Sequence, residues 1–89
     1  MLGTEVLELL KKFSRAAEAY HRTEYTLYRE RKTGEMQEVR VVILDAGPAA
    51  GQLRYHATAT DEDGRSATGN PADSAETALA IMHWGNLDR

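Results

Sequence analysis

The sequence predicts an α+β fold. Its architecture is a two-layer sandwich: an antiparallel sheet of three or four strands with N- and C-terminal helices packed on one face. Three observations predict it. Apolar residues from Val6 to Tyr20 recur at three- and four-residue steps, the spacing of an amphipathic helix. Val39, Val41 and Ile43 alternate with Glu38, Arg40 and Val42, the period of a strand with one buried side. Late in the chain Asp63-Gly64 turns one strand back on another, and Asp73-Ser74-Ala75-Glu76 then opens a helix. The order is α-β-β-β-(β)-α, and 89 residues make one domain, 1-89.

The first helix is expected over Thr4 to Tyr20. Val6, Leu9, Leu10, Phe13, Ala16, Ala17 and Tyr20 form its stripe, widened by Leu7. Thr4 can cap its start, and Glu8 and Lys12 stand four residues apart, a spacing that favours an ion pair. His21 falls at the expected end, where the helix dipole favours a cation.

Thr23 to Arg31 then takes a strand composition. Tyr25 and Leu27 share one side, Thr26 and Tyr28 the other, and the sequence leaves open which is buried. Gly34 supplies a turn. The second strand runs Met36 to Leu44, followed by a mobile loop over Asp45 to Gly51. The third strand, Gln52 to Thr60, puts Leu53, Tyr55, Ala57 and Ala59 on one side and Arg54, His56, Thr58 and Thr60 on the other. Asp63-Gly64 predicts a two-residue type I′ hairpin, and Arg65 to Thr68 returns. In the last helix Ala75, Ala78, Leu79 and Met82 form the stripe. Asp73 with Glu76 fits a capping box, with Ser74 as the other possible cap. Gly85 reads as its left-handed terminator and Asn86 to Arg89 as a tail.

The composition bounds the function. Hydrophobic residues are 42% and charged residues 28%, a mix that folds. The apolar content leans on alanine. A core of that kind supplies about 3–5 kcal/mol, so self-association is a ready way to bury more surface. Net charge is −3, against the basic balance of general nucleic-acid binders. There is no cysteine, hence no disulfide frame, thiolate metal site or cysteine nucleophile; a small fold without disulfides fits the cytoplasm. No apolar run reaches membrane-spanning length, so no membrane is expected as a partner.

No catalytic, cofactor or metal site is expected. His21, His56 and His83 are not spaced as metal ligands, and no nucleophile stands in an activating motif. Asp61-Glu62-Asp63-Gly64 fails as a calcium loop. With Gly64 as its sixth residue, Ala59 and Asn70 occupy the positions that need oxygen ligands.

Two surfaces remain. Val42 and Leu44 lie on the outward parity of the second strand with Met36, and Trp84 ends the last helix; together they are the candidate protein-interaction residues. The alternative is RNA or single-stranded DNA held on the outer sheet face. There Arg29, Arg31, Arg40 and Arg54 would meet phosphates beside His56, and Tyr28 would stack on a base. Glu24, Glu30, Glu35 and Glu38 nearly cancel that charge, which disfavours nucleic acid.

The order helix, three strands, helix over Thr4 to Trp84 resembles the double-stranded-RNA-binding domain. In that family, lysines at the start of the second helix grip phosphates. The matching stretch here, Asn70 to Thr77, holds Asp73 and Glu76 and no base, so those binding residues do not carry over. Gln52 to Trp84, a strand, Gly69, a polar turn and then Ser74-x-Glu76-x-Ala78-Leu79, is similar to the HicB-like antitoxin core, which implies a protein-binding relative. The expected function is a small non-enzymatic cytoplasmic interaction module, bound to a protein partner or to itself as a homodimer.

Overall fold

A computed structural model describes residues 3–15 and 18–88. Helix α1 (Gly3–Ser14) leads into strands β1 (His21–Glu30), β2 (Met36–Asp45), β3 (Tyr55–Asp61) and β4 (Ser66–Thr68), then helix α2 (Ala75–Ala80). The four strands form one antiparallel sheet in sequence order. The α+β class, with its antiparallel sheet and a helix at each end, is as the sequence predicts.

Strand pairing sorts the side chains. Tyr25 lies opposite Val41 and Leu27 opposite Val39. Ala59 lies opposite Val41 on the other flank, and Ala67 opposite Ala59. Tyr25 and Leu27 therefore share the face of Val39 and Val41, which answers the question left open by the sequence. We call this the inner face. Met36, Arg40, Val42 and Leu44 lie on the outer face, opposite Glu30, Thr26, Glu24 and Arg22 of β1.

The inner face is covered by α2 and by a 3-10 segment, Trp84–Asp88. The buried core is Val39, Val41, Ala57, Ala59, Ala67, Ala72, Ala78, Met82 and Leu87, with Ile43, Tyr55, Leu79 and Trp84 packed against it. Small alanines let the backbone layers approach. Gly69 shows how closely: a Cβ there would stand 2.9 Å from the Ile81 carbonyl oxygen. The Asn86–Arg89 tail is therefore corrected. Leu87 is fully buried, and it is one of the two largest side chains so enclosed.

Several boundaries differ from the sequence expectation, each for a local reason. Helix α1 stops at Ser14, not Tyr20. The Ser14 hydroxyl donates to the Leu10 carbonyl, a back-bond that competes with the helical ladder, and Arg15 turns left-handed at φ 61°. Ala16 and Ala17, expected on the stripe, lie outside the described residues. Thr4 sits inside the helix, not at its cap, and Glu8 meets Lys11 at 3.7 Å. His21 begins β1, because pairing with Asp45 extends that strand beyond the expected end of the helix.

The Asp45–Gly51 loop is partly structured. Asp45 completes β2, and Pro48–Leu53 forms 3-10 turns that take Gln52 and Leu53 out of β3; Leu53 is exposed. The type I′ turn is also corrected. In the β3–β4 loop only Gly64 has positive φ, and Asp61 N–H donates to the Arg65 carbonyl across a three-residue loop. That is a turn closed by a left-handed glycine, and Gly34 closes the β1–β2 loop in the same way. Ser74, not Asp73, caps α2: its hydroxyl accepts the Thr77 N–H at 3.1 Å. Gly85 has no positive φ; α2 ends at Ala80 with Ile81 as its cap. Among the described residues, no helix is long and apolar enough to cross a membrane.

Candidate interaction surface

Among the described residues, two apolar surfaces stand exposed in the single chain. The first is the stripe of α1. Of its described residues only Leu7 is buried, with its side chain against Gly47, just beyond the end of β2. Val6 is 37%, Leu9 51%, Leu10 50% and Phe13 77% exposed. Helix α1 thus meets the sheet lightly, and its role as a full second cover is not realised in the single chain.

The second surface is a groove on the inner face. Strand β1 lies at the sheet edge; the Trp84–Asp88 segment reaches it at Arg29, but Tyr25 and Leu27 are left partly uncovered. Tyr25, Leu27, Val41, Leu79 and Trp84 line the gap, a wholly apolar hollow of about 260 Å³. Tyr25 remains 50% exposed and Leu27 39%. The Trp84 ring is fixed at one rim, because its Nε1–H donates to the Leu79 carbonyl at 2.8 Å.

One end of the inner face is held by a polar chain. Gln37 occupies the inward parity of β2 and is buried. Its Nε2 donates to Asp61 Oδ2 at 2.8 Å and to the Leu87 carbonyl at 3.0 Å; its Oε1 accepts from Arg29 at 2.7 Å. Arg29 grips Asp88 through two bonds of 3.0 and 3.1 Å. Asp61 also accepts from the backbone N–H groups of Asp63 and Arg65 and from the Arg65 guanidinium. Burial pushes the Asp61 carboxyl up. Its bonds from Arg65, Asp63 and Gln37 more than offset this and hold it below the usual carboxylate range. The Arg29 guanidinium lowers Asp88, and the Arg54 guanidinium lowers Asp45. These bonds join three strands and the C-terminal segment.

The expected residues separate. Met36, Val42 and Leu44 lie on the outer face; Trp84 lies on the opposite side, at the rim of the groove. Met36 is 64% exposed, whereas Val42 and Leu44 are half-buried between their strand neighbours. Of the candidate nucleic-acid contacts, only Tyr28, Arg40 and His56 share the outer face. Arg29 is turned inward to Asp88. Arg54 is held by Asp45 at 2.7 Å and lies over the Tyr55 ring, and Arg31 stands 3.7 Å from Glu35. Arg40 lies in a hollow with Glu38, Asp61 and Glu62, an acidic setting for a phosphate. His56 shares a hydrogen bond with Thr68.

The groove residues Tyr25, Leu27 and Leu79 are absent from the sequence-derived set. The shared side of Tyr25 and Leu27 is visible in the sequence, but their meeting Leu79 and Trp84 in one groove is not. Gln37 carried a signal: it is the polar residue in the inward series 37, 39, 41, 43. Among the described residues, no group of three or more His, Asp or Glu side chains could hold a metal ion. Comparisons of the chain with family models, curated proteins and solved structures find no match in any of the three.

Proposed function

We propose that this chain is a small non-enzymatic cytoplasmic module that works by binding protein through its inner face and α1. One observation carries the reading. An apolar helical stripe and a wholly apolar groove are exposed on the same small molecule. A soluble chain with a core this small gains from covering both. Trp84 and Tyr25 at the groove are residue types that anchor interfaces, since each ring covers a large area at little conformational cost. The non-enzymatic part rests on the sequence, in which no nucleophile stands in an activating motif. Nucleic acid is the weaker reading, because Arg29, Arg31 and Arg54 each lie at a carboxylate.

The test is affinity capture from the native cell, with and without nuclease, comparing the wild-type chain with Leu27→Asp. Protein recovery that survives nuclease and is lost in the variant is expected. Capture that disappears with nuclease and is unaffected by the variant would refute the reading.

A further inference from the structure

We infer that the partner is a second copy of this chain, and that the α1 stripe of each copy fills the inner-face groove of the other. The inference rests on the interaction reading above and names its occupant.

Helix α1 has twelve residues. A free helix of that length is marginal in water and needs packing along its stripe. In the single chain Leu7 alone of the described stripe is buried, while Leu9 and Leu10 stay about half exposed and Phe13 77% exposed. The groove has the converse deficit: a row of inward-parity side chains, Tyr25 and Leu27, left partly uncovered. One contact cures both. The groove needs an amphipathic helix bearing large apolar anchors, and the chain itself displays one.

Geometry favours exchange between copies over closure within one. Leu7 is buried against Gly47, beyond the last residue of β2, and this contact seats α1 beside the end of that strand with Leu9, Leu10 and Phe13 left exposed. Closure within one chain would have to break that seat. Two copies related by a two-fold axis keep it and still bring stripe to groove twice, because an isologous contact repeats each pairing. Phe13 alone offers about 150 Å² of ring surface, and a stable interface needs about 800 Å² from each partner. The stripe residues Val6, Leu9, Leu10 and Phe13 with the groove residues Tyr25 and Leu27 occur once per copy, so both halves count toward that area.

The native chain has no cysteine, which permits a clean test. Two singly substituted full-length chains, Leu10→Cys and Leu27→Cys, are mixed and treated with a short bismaleimide. The expected product is a cross-linked pair containing one of each chain, in excess over either self-pair. Sedimentation should show wild-type dimer. Phe13→Ser, at a position that supports no core, should raise the dimer dissociation constant about thirtyfold or more with the circular dichroism spectrum unchanged. A wild-type chain that stays monomeric at high micromolar concentration overturns the inference. So does a predominance of the Leu10→Cys self-pair, or a chain carrying both substitutions that closes only within itself. A monomer whose protein capture is still abolished by Leu27→Asp would overturn the exchange and leave the wider interaction reading standing.

Discussion

Replacing Gln37 by glutamate is the sharpest probe of the buried polar chain. Nε2 of Gln37 donates twice, to Asp61 and to the Leu87 carbonyl; a carboxylate at position 37 can donate to neither. Two ionised carboxyls 2.8 Å apart would repel by about 6 kcal/mol at an effective dielectric near 20. Binding a proton is cheaper. From an ordinary glutamate value of about 4.3, holding that proton costs about 3.7 kcal/mol at pH 7 and about 1 kcal/mol at pH 5. The protonated group donates only once, so one buried acceptor goes unpaired at a further cost of about 1–3 kcal/mol. The sum, about 5–7 kcal/mol at pH 7, matches or exceeds the roughly 3–5 kcal/mol that a domain of this size holds. Gln37→Glu should therefore be largely unfolded at neutral pH and recover most of its structure near pH 5. The new carboxyl has a raised value in the fold, so the folded state binds more protons and acid stabilises it relative to wild type. Urea titrations followed by Trp84 fluorescence at the two pH values give the difference directly. A gap between variant and wild type that stays flat from pH 5 to pH 7 would show that the Gln37–Asp61 contact is not buried and coupled as described.

Two further outcomes are expected. Asp45, Asp61 and Asp88 are all held below the usual carboxylate range, so the folded state binds fewer protons than the unfolded one. Their contribution is complete above the ordinary aspartate value of about 3.9 and is lost as pH falls through the lowered values; urea midpoints from neutral to strongly acid pH should drop most steeply below about pH 4. At the start of α2, Ser74→Ala should cost about 1 kcal/mol, whereas Asp73→Ala should stay within about 0.5 kcal/mol. Equal losses at the two positions in thermal melts would contradict the cap assignment.

Strand pairing was legible wherever side chains alternate. Val39, Val41 and Ile43 announced the buried side of β2, and Ala57 and Ala59 that of β3, because a strand's period of two leaves no ambiguity once one side is apolar. The outward parity of Met36, Val42 and Leu44 followed from the same rule. Helix ends were less legible. Ser14 and Arg15 carry little local stop signal, and Gly85 carried one that the chain does not use.

The candidate surface was legible only in part. Trp84 was identified from its residue type, but Tyr25, Leu27 and Leu79 could not be grouped with it, since their common exposure depends on how much of the sheet α2 covers. The basic residues show the same limit. Arg29 and Arg54 read as free cations in sequence, yet their carboxylate partners are 59 and 9 residues away, and only the folded chain brings Asp88 to Arg29. By itself the sequence determined the α+β class, the order of elements and the inward parity of β2 and β3, because these follow from local periodicity and turn chemistry. The tertiary structure alone decided that Leu87 fills the core, that Gln37 and Asp61 are buried together, and that the α1 stripe and the β1 edge stay open. Each of those depends on contacts between distant segments, and the reach of a short helix across a sheet is written in no local pattern.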